Sequence, residues 1–458
     1  MRTKGSTLAG YRHTRHAMFL AAGAVAAGSL AAVWMQRPDW FLKRLAVPYP
    51  FQVFLENYNR LLIDFPLVLW VTGAALAALA LVVWRTAGRT VENDSSRLRI
   101  SVPVEFLIYA ALLVAAGYLS LRHWEYWGRP KWDNYWLFAR VLHDFWTHPG
   151  AETWFTLQKW VAEFPHSPSP LTPVVISVLM VVYDDPLRWL QMLSFGATIG
   201  SLALVRSLGR RLAPDVPTWL LGALFLTHAA TMRNSLFIQL DAISSFFVLA
   251  FYWLWFRWRD EPTQNRLTAL VVFLIAAVMQ KTTLFPLLAI PFLAAVYDDW
   301  RAGRRRWLEW LRIGLATAAL PAALFGGYLL LLGVGRNFGT QVELMGSGWN
   351  ELDFSLTRFA FATGFLVCPY LPLVFGEQRW DANRVALAAY PVLFLLSVTA
   401  VRGPYWSRYY SHLLGPLLLL AAPHLARLSR QQRGAWLAPT YVAGVAAVQY
   451  TMIAAHIF

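Results

Sequence analysis

The chain is poor in charge. Only 14% of its residues are Asp, Glu, Lys or Arg, against roughly 25% in a soluble domain. It has one cysteine, Cys368, inside an apolar run. An intramolecular disulfide and a thiolate metal cluster are therefore both excluded. Acidic residues are scarce as well: 25 against 40 basic ones, a net charge of +15. No internal repeat, low-complexity tract or soluble domain is visible.

What the chain has in abundance is apolar length. Of its 458 residues 57% are hydrophobic, with a mean hydropathy of +0.44. That composition predicts an integral membrane protein. The basic excess does not point to nucleic acid, because the arginines sit mostly in short connectors between apolar runs, where topology signals lie. No nucleic-acid partner is expected; the expected surroundings are a lipid bilayer.

A membrane-crossing helix needs about 20 apolar residues. Thirteen candidates follow along the chain, at 17–35, 62–84, 102–121, 187–206, 217–231, 238–257, 267–279, 283–297, 313–333, 355–375, 385–400, 409–425 and 436–457. The first follows Arg2, Lys4, Arg12 and Arg15 and is read as a helix, since no cleavable signal peptide is apparent. A fourteenth run, 170–184, is short and begins with prolines. Its fate decides the topology. If it does not cross, 24 Lys and Arg fall on one side and 14 on the other, nine of those 14 in the long loops 36–61 and 122–168. If it crosses, the basic connectors after it face outward. The positive-inside rule favours the first arrangement: thirteen spans, N-terminus cytoplasmic, C-terminus outside. A bacterial inner membrane is expected, with the outer face periplasmic.

This topology gathers charges of both signs on the outer side from four connectors: Asp133, His166, Asp241, Lys281, Arg402 and Arg408. An ionisable group at a membrane boundary is costly and is a functional-site hypothesis by default. The polar stretch Lys131-Trp132-Asp133-Asn134-Tyr135-Trp136, followed by His166-Ser167-Pro168-Ser169-Pro170-Leu171, is the clearest instance. Nine Trp and Tyr residues lie from Trp124 to Trp160. Tyr135, Phe138, Leu142 and Phe145 share a helical stripe with Asp133 at its head, a favoured position for a helix-capping carboxylate. The loop is read as two or three helices lying on the outer leaflet.

These elements have plainer readings too. Asp133 could serve only as a helix cap, Asp241 as a solvated or Arg233-paired acid, and Lys281 as a snorkelling interface residue. Arg408 and Tyr409 could be interfacial anchors. His166 is more often a turn histidine than a ligand.

The order of elements carries a resemblance. An outer-loop acid followed by aromatics comes first, then a proline-rich element and Leu-Arg-Trp-Leu at 187–190. Arg-Ser-Leu-Gly-Arg-Arg-Leu at 206–212, Gln-Leu-Asp-Ala at 239–242, Gln-Lys-Thr-Thr at 280–283 and Ser-Arg-Tyr-Tyr-Ser-His-Leu-Leu-Gly-Pro-Leu at 407–417 follow. Over roughly residues 100–425 this resembles the GT-C superfamily of polyprenyl-phosphate-sugar-dependent glycosyltransferases, the group containing the protein O-mannosyltransferases and the lipid A aminoarabinose transferases. The resemblance implies an all-α polytopic membrane fold. It divides the chain into a two-helix extension at 1–101, a catalytic core at 102–425 with outer loop 122–186, and a last helix at 426–458.

It also implies an activity: sugar transfer from a polyprenyl phosphate to a protein, glycolipid or glycan acceptor on the outer face, with inversion. Asp133 would be the general base and Asp241 a second acid of the site. Lys281, Arg402, Arg408 and Tyr409 would face the donor phosphate, with Asn134, Tyr135 and His166 contacting substrate. Two departures stand out. Many members carry a second acid where this chain has Asn134, and the proline element usually has adjacent prolines, often preceded by a metal-ligating acid. A divalent metal therefore stays open, with Glu163 or His166 as its ligands. The alternatives are a transporter or flippase of a lipid-linked saccharide, and an inactive scaffold.

Overall fold

The computed structural model describes residues 100–121, 135–163, 169–227, 240–331, 380–400 and 411–430. The expected spans at 17–35, 62–84, 355–375 and 436–457 lie outside them, as does the extension up to residue 99. Among the described residues every regular element is a helix and no strand occurs.

The helices, in chain order, are α1 (Val102–Leu121), α2 (Tyr135–Thr147), α3 (Ala151–Glu163), α4 (Leu171–Leu179) and α5 (Pro186–Leu212). There follow α6 (Thr218–Leu226), α7 (Asp241–Asp260), α8 (Gln264–Gln280) and a 3₁₀ helix (Thr282–Ala289) continuing into α9 (Ile290–Arg301). The last are α10 (Trp307–Gly314), a π turn (Leu315–Ala319) running into α11 (Leu320–Leu331), then α12 (Ala382–Ala400) and α13 (Leu414–Arg430). Among the described residues three stretches are long and apolar enough to cross a membrane: Pro186–Leu212, Thr282–Arg301 and Trp307–Leu330. The chain is thus helical and suited to a bilayer.

Local chemistry sets the boundaries. Asp185 caps α5, its carboxylate accepting from the Leu187 and Arg188 amides at 3.1 Å, with Pro186 in the first helical position. Thr263 caps α8, directly after Pro262 has closed off α7. The π turn precedes Pro321. Proline has no N–H for the carbonyl of Thr317 and its ring crowds that position, so the helix widens there. The Thr317 hydroxyl, fully buried, bonds the Ile313 carbonyl at 2.9 Å.

The run at 170–184 forms only α4, nine residues long. At 1.5 Å per residue that is about 13.5 Å, too short for a hydrocarbon core of about 30 Å. The helix expected at Asp133–Phe145 appears as α2, with Phe138 and Leu142 buried on the anticipated stripe. Its Phe138 ring stacks on Trp160 of α3, centroids 5.6 Å apart.

Ion pairs tie one end of the bundle together. Arg206 of α5 binds Glu105 of α1, and Arg211 of α5 binds Asp260 of α7. Arg259 of α7 binds Asp298 of α9, and Arg312 of α10 reaches Gln264 of α8 at 2.7 Å. Asp299, almost wholly buried, gathers Arg304, Arg306 and the Trp310 indole N–H. These residues come from the C-terminal parts of α5, α7 and α9, the starts of α1 and α8, the turn after α9 and the short helix α10, so these segments share one end. Between the ends the core is apolar, with Trp255, Tyr252, Phe251 and Phe225 fully buried. Gly200 of α5 lets α7 approach closely; a Cβ there would lie 2.8 Å from the Phe246 ring.

Candidate functional site

Among the described residues the opposite end of the bundle carries the Arg140–Asp184 and Arg188–Asp185 pairs at its surface and one further pair that is buried. Asp241 opens α7, and Lys281 stands in the single-residue break between α8 and the 3₁₀ helix. The Lys281 ammonium donates to the Asp241 carboxylate. Asp241 is 2% exposed and Lys281 8%. The break explains the position: Lys281 is extended (φ −161°, ψ 133°), which turns its side chain out of the α8 register and toward the start of α7. Removing two charges from water costs several kcal/mol per ion and is offset only by close pairing. Such a pair at the end of apolar helices marks a candidate functional site.

A second polar contact lies beside it. The Thr172 hydroxyl, near the start of α4, is 2.5 Å from Gln280 Oε1, the last residue of α8. Both residues are buried, and among the described residues the Gln280 Nε2 has no hydrogen-bond partner. The Thr283 hydroxyl oxygen, two residues past Lys281, is also buried and has no hydrogen-bond partner among the described residues. The helices α4, α7 and the 3₁₀ segment all begin here, and none of the three has a side-chain cap on its first amides. The positive ends of the α4 and α7 dipoles add to the ammonium. Behind this corner an apolar cluster of Ala139, Ile176, Met180, Leu190, Leu240 and Ile243 locks α2, α4, α5 and α7 together. The His143 ring nitrogen Nδ1 lies 3.0 Å from the Ser177 carbonyl, which anchors α2 on α4.

Of the residues expected at a site, Asp241 and Lys281 are brought into direct contact. Tyr135 is the first residue of α2, and Glu163 is the last of α3. Asp133, Asn134, His166, Arg402, Arg408 and Tyr409 lie outside the described residues. The 3₁₀ turn at 411–413 follows the Arg402–Tyr409 segment directly and carries His412. That histidine is buried, with ring centroids 4.7 Å from Phe394 and 5.7 Å from Tyr390. Among the described residues no three His, Cys, Asp or Glu side chains gather as a metal site requires. They offer a divalent ion no ligand set.

Sequence reasoning passed over Thr172, Gln280 and Thr283 as site residues. The signal for Gln280 was present, as an amide closing an apolar run immediately before a lysine. Nothing in the sequence pairs it with Thr172, which lies 108 residues away.

No protein-family model matches the chain, and no curated protein matches it.

Proposed function

We propose that the protein is a membrane glycosyltransferase that moves a sugar from a polyprenyl-phosphate donor to an acceptor on the outer face. The observation that carries this reading is the buried Asp241–Lys281 pair at the end of the bundle remote from the arginine cluster. The proposal takes the full chain as thirteen spans of GT-C-like topology, with the arginine end cytoplasmic by the positive-inside rule. The site end then faces the periplasm at headgroup depth.

The chemistry asks for such a corner. A lipid tail buried in the bilayer presents its phosphate at the membrane surface. When the acceptor oxygen attacks the anomeric carbon, the bond from that carbon to the phosphate oxygen breaks, and negative charge grows on the departing phosphate. Fixed cations and helix N-termini in a site shielded from water stabilise that charge most. Lys281 supplies the cation here. Asp241 is engaged by the ammonium, so its part is to hold Lys281 in place and to offset the cost of burying it. The proton lost by the acceptor hydroxyl then goes to a different carboxylate, and Asp133 takes that role. Arg402, Arg408 and Tyr409 complete the phosphate side, and attack by one nucleophile from the face opposite the leaving group inverts the anomeric centre.

The test is a transfer assay in right-side-out and inverted vesicles, using radiolabelled polyprenyl-phosphate mannose, glucose, arabinose and aminoarabinose. Wild type is compared with Lys281→Met and Asp133→Asn at equal protein level. The expected result is transfer on the outer face from at least one donor, lost in both variants. Transfer undiminished in Lys281→Met would overturn the phosphate assignment. Movement of intact donor across the bilayer without transfer would make the protein a transporter.

A further inference from the structure

The Gln280 carboxamide is a buried group with one end engaged and one end free. Its exposure is 1%. Thr172 Oγ1 holds Oε1 at 2.5 Å, while Nε2 meets no partner among the described residues. If the amide is turned over, Thr172 holds the nitrogen and the oxygen is the free atom. In either orientation one polar atom of Gln280 is bonded and the other is not. A buried amide atom left unsatisfied is destabilising and calls for an explanation.

Three features say what would satisfy it. Gln280 adjoins Lys281, so whatever meets the amide also lies beside the proposed phosphate position. Thr283 contributes a second buried hydroxyl without a partner within the same four residues. Finally, the free amide atom is a donor in one orientation and an acceptor in the other. A ligand hydroxyl both donates and accepts, so it complements Gln280 and Thr283 whichever way they are turned.

We infer that Gln280, held by Thr172, recognises a hydroxyl of the transferred sugar while Lys281 faces its phosphate. This rests on the glycosyltransferase reading and adds a specificity residue to it. The donor class that follows is a polyprenyl-phosphate sugar with a free hydroxyl near its phosphate-bearing carbon. A sugar lacking that hydroxyl leaves the amide unsatisfied and is rejected, which is how a site built on buried polar groups discriminates. Thr172 acts as a positioning residue, since it fixes the amide rather than touching the sugar.

The experiment measures binding by the detergent-solubilised full chain. The probes are dodecyl phosphate and dodecyl phosphate carrying mannose, glucose, arabinose or 2-deoxyglucose. Wild type should bind at least one hydroxylated sugar probe tighter than dodecyl phosphate, and the 2-deoxy probe less well. Gln280→Met should lose about five- to tenfold of that sugar-dependent gain and keep its affinity for dodecyl phosphate. Thr172→Val, which leaves the amide in place but unanchored, should lose part of the same gain, so the inference stays testable if Gln280→Met does not fold. An unchanged ratio of sugar to plain-phosphate binding in both variants would overturn the inference and leave the free amide atom to an ordered water. The broader reading fails separately, through undiminished dodecyl phosphate binding in Lys281→Met.

Discussion

Arg206 and Glu105 meet side by side across 101 residues of chain: Nε donates to Oε1 at 2.9 Å and Nη2 to Oε2 at 3.2 Å. The Tyr109 hydroxyl, one turn along α1, donates to the same Oε1 at 2.7 Å and lies 3.2 Å from the Thr218 carbonyl oxygen. Three helices, α1, α5 and α6, are thereby joined through one buried carboxylate. Glu105→Ala leaves the guanidinium facing a buried surface without its partner. It should lower stability by about 3 kcal/mol, at the low end for a broken buried pair, because Arg206 keeps 25% side-chain exposure. Thermal unfolding in detergent checks this, and Glu105→Gln, which retains a hydrogen-bond acceptor, should lose less.

Gly222 of α6 is the floor under that network. A Cβ there would run into the Tyr109 hydroxyl oxygen and lie 2.5 Å from its ring. The phenol is held by Glu105 and cannot swing aside freely. Gly222→Ala should therefore destabilise by about 1–3 kcal/mol, as overpacking does, despite the better helix propensity of alanine. If Gly222→Ala unfolds at the wild-type temperature, this account of the α1–α6 contact is wrong. Combined with Tyr109→Phe, which removes the crowded oxygen, the loss should shrink.

The Asp241–Lys281 pair allows function to be separated from folding. Lys281→Met leaves the Asp241 carboxylate buried without the ammonium and should cost about 3–5 kcal/mol. The double variant Asp241→Asn/Lys281→Met removes both charges and should recover most of that stability. Transfer should not return with it, because the cation facing the phosphate is still missing; a loss of at least about 100-fold is expected. Activity that returned along with stability would reduce the pair to a structural fastener.

Topology can be read with cysteine labelling, since Cys368 is the only cysteine. In a Cys368→Ser background, Arg305→Cys in the exposed turn after α9 should react only with reagent supplied from the cytoplasmic side. Val182→Cys, in the exposed turn after α4, should react only from the periplasmic side. Labelling of both from the same side would undo the two-ended arrangement of the spans.

How far the sequence reached differs from element to element. Apolar runs were sufficient to place helices at α1, α7 and α12, because long apolar segments favour a backbone that satisfies itself; the run at 283–297 instead opens as a 3₁₀ segment before α9 begins. Prolines and acids at helix starts, such as Asp185-Pro186, fall where capping chemistry requires. The sequence also singled out Asp241 and Lys281 as costly charges beside apolar runs; Arg233, one of the alternatives it offered for Asp241, lies outside the described residues.

The sequence by itself determined the class of element, the scarcity of charge and the placement of that charge at helix ends, since each follows from local composition. Only the tertiary structure decided which charges meet. Asp241 and Lys281 are 40 residues apart, and Thr172 and Gln280 are 108 apart. Their contacts depend on the start of α4 and the start of α7 both packing against the broken end of α8. That packing is set by apolar surfaces such as Ile176, Leu190 and Ile243, whose attraction is non-directional and leaves no mark in the spacing of the polar residues it brings together.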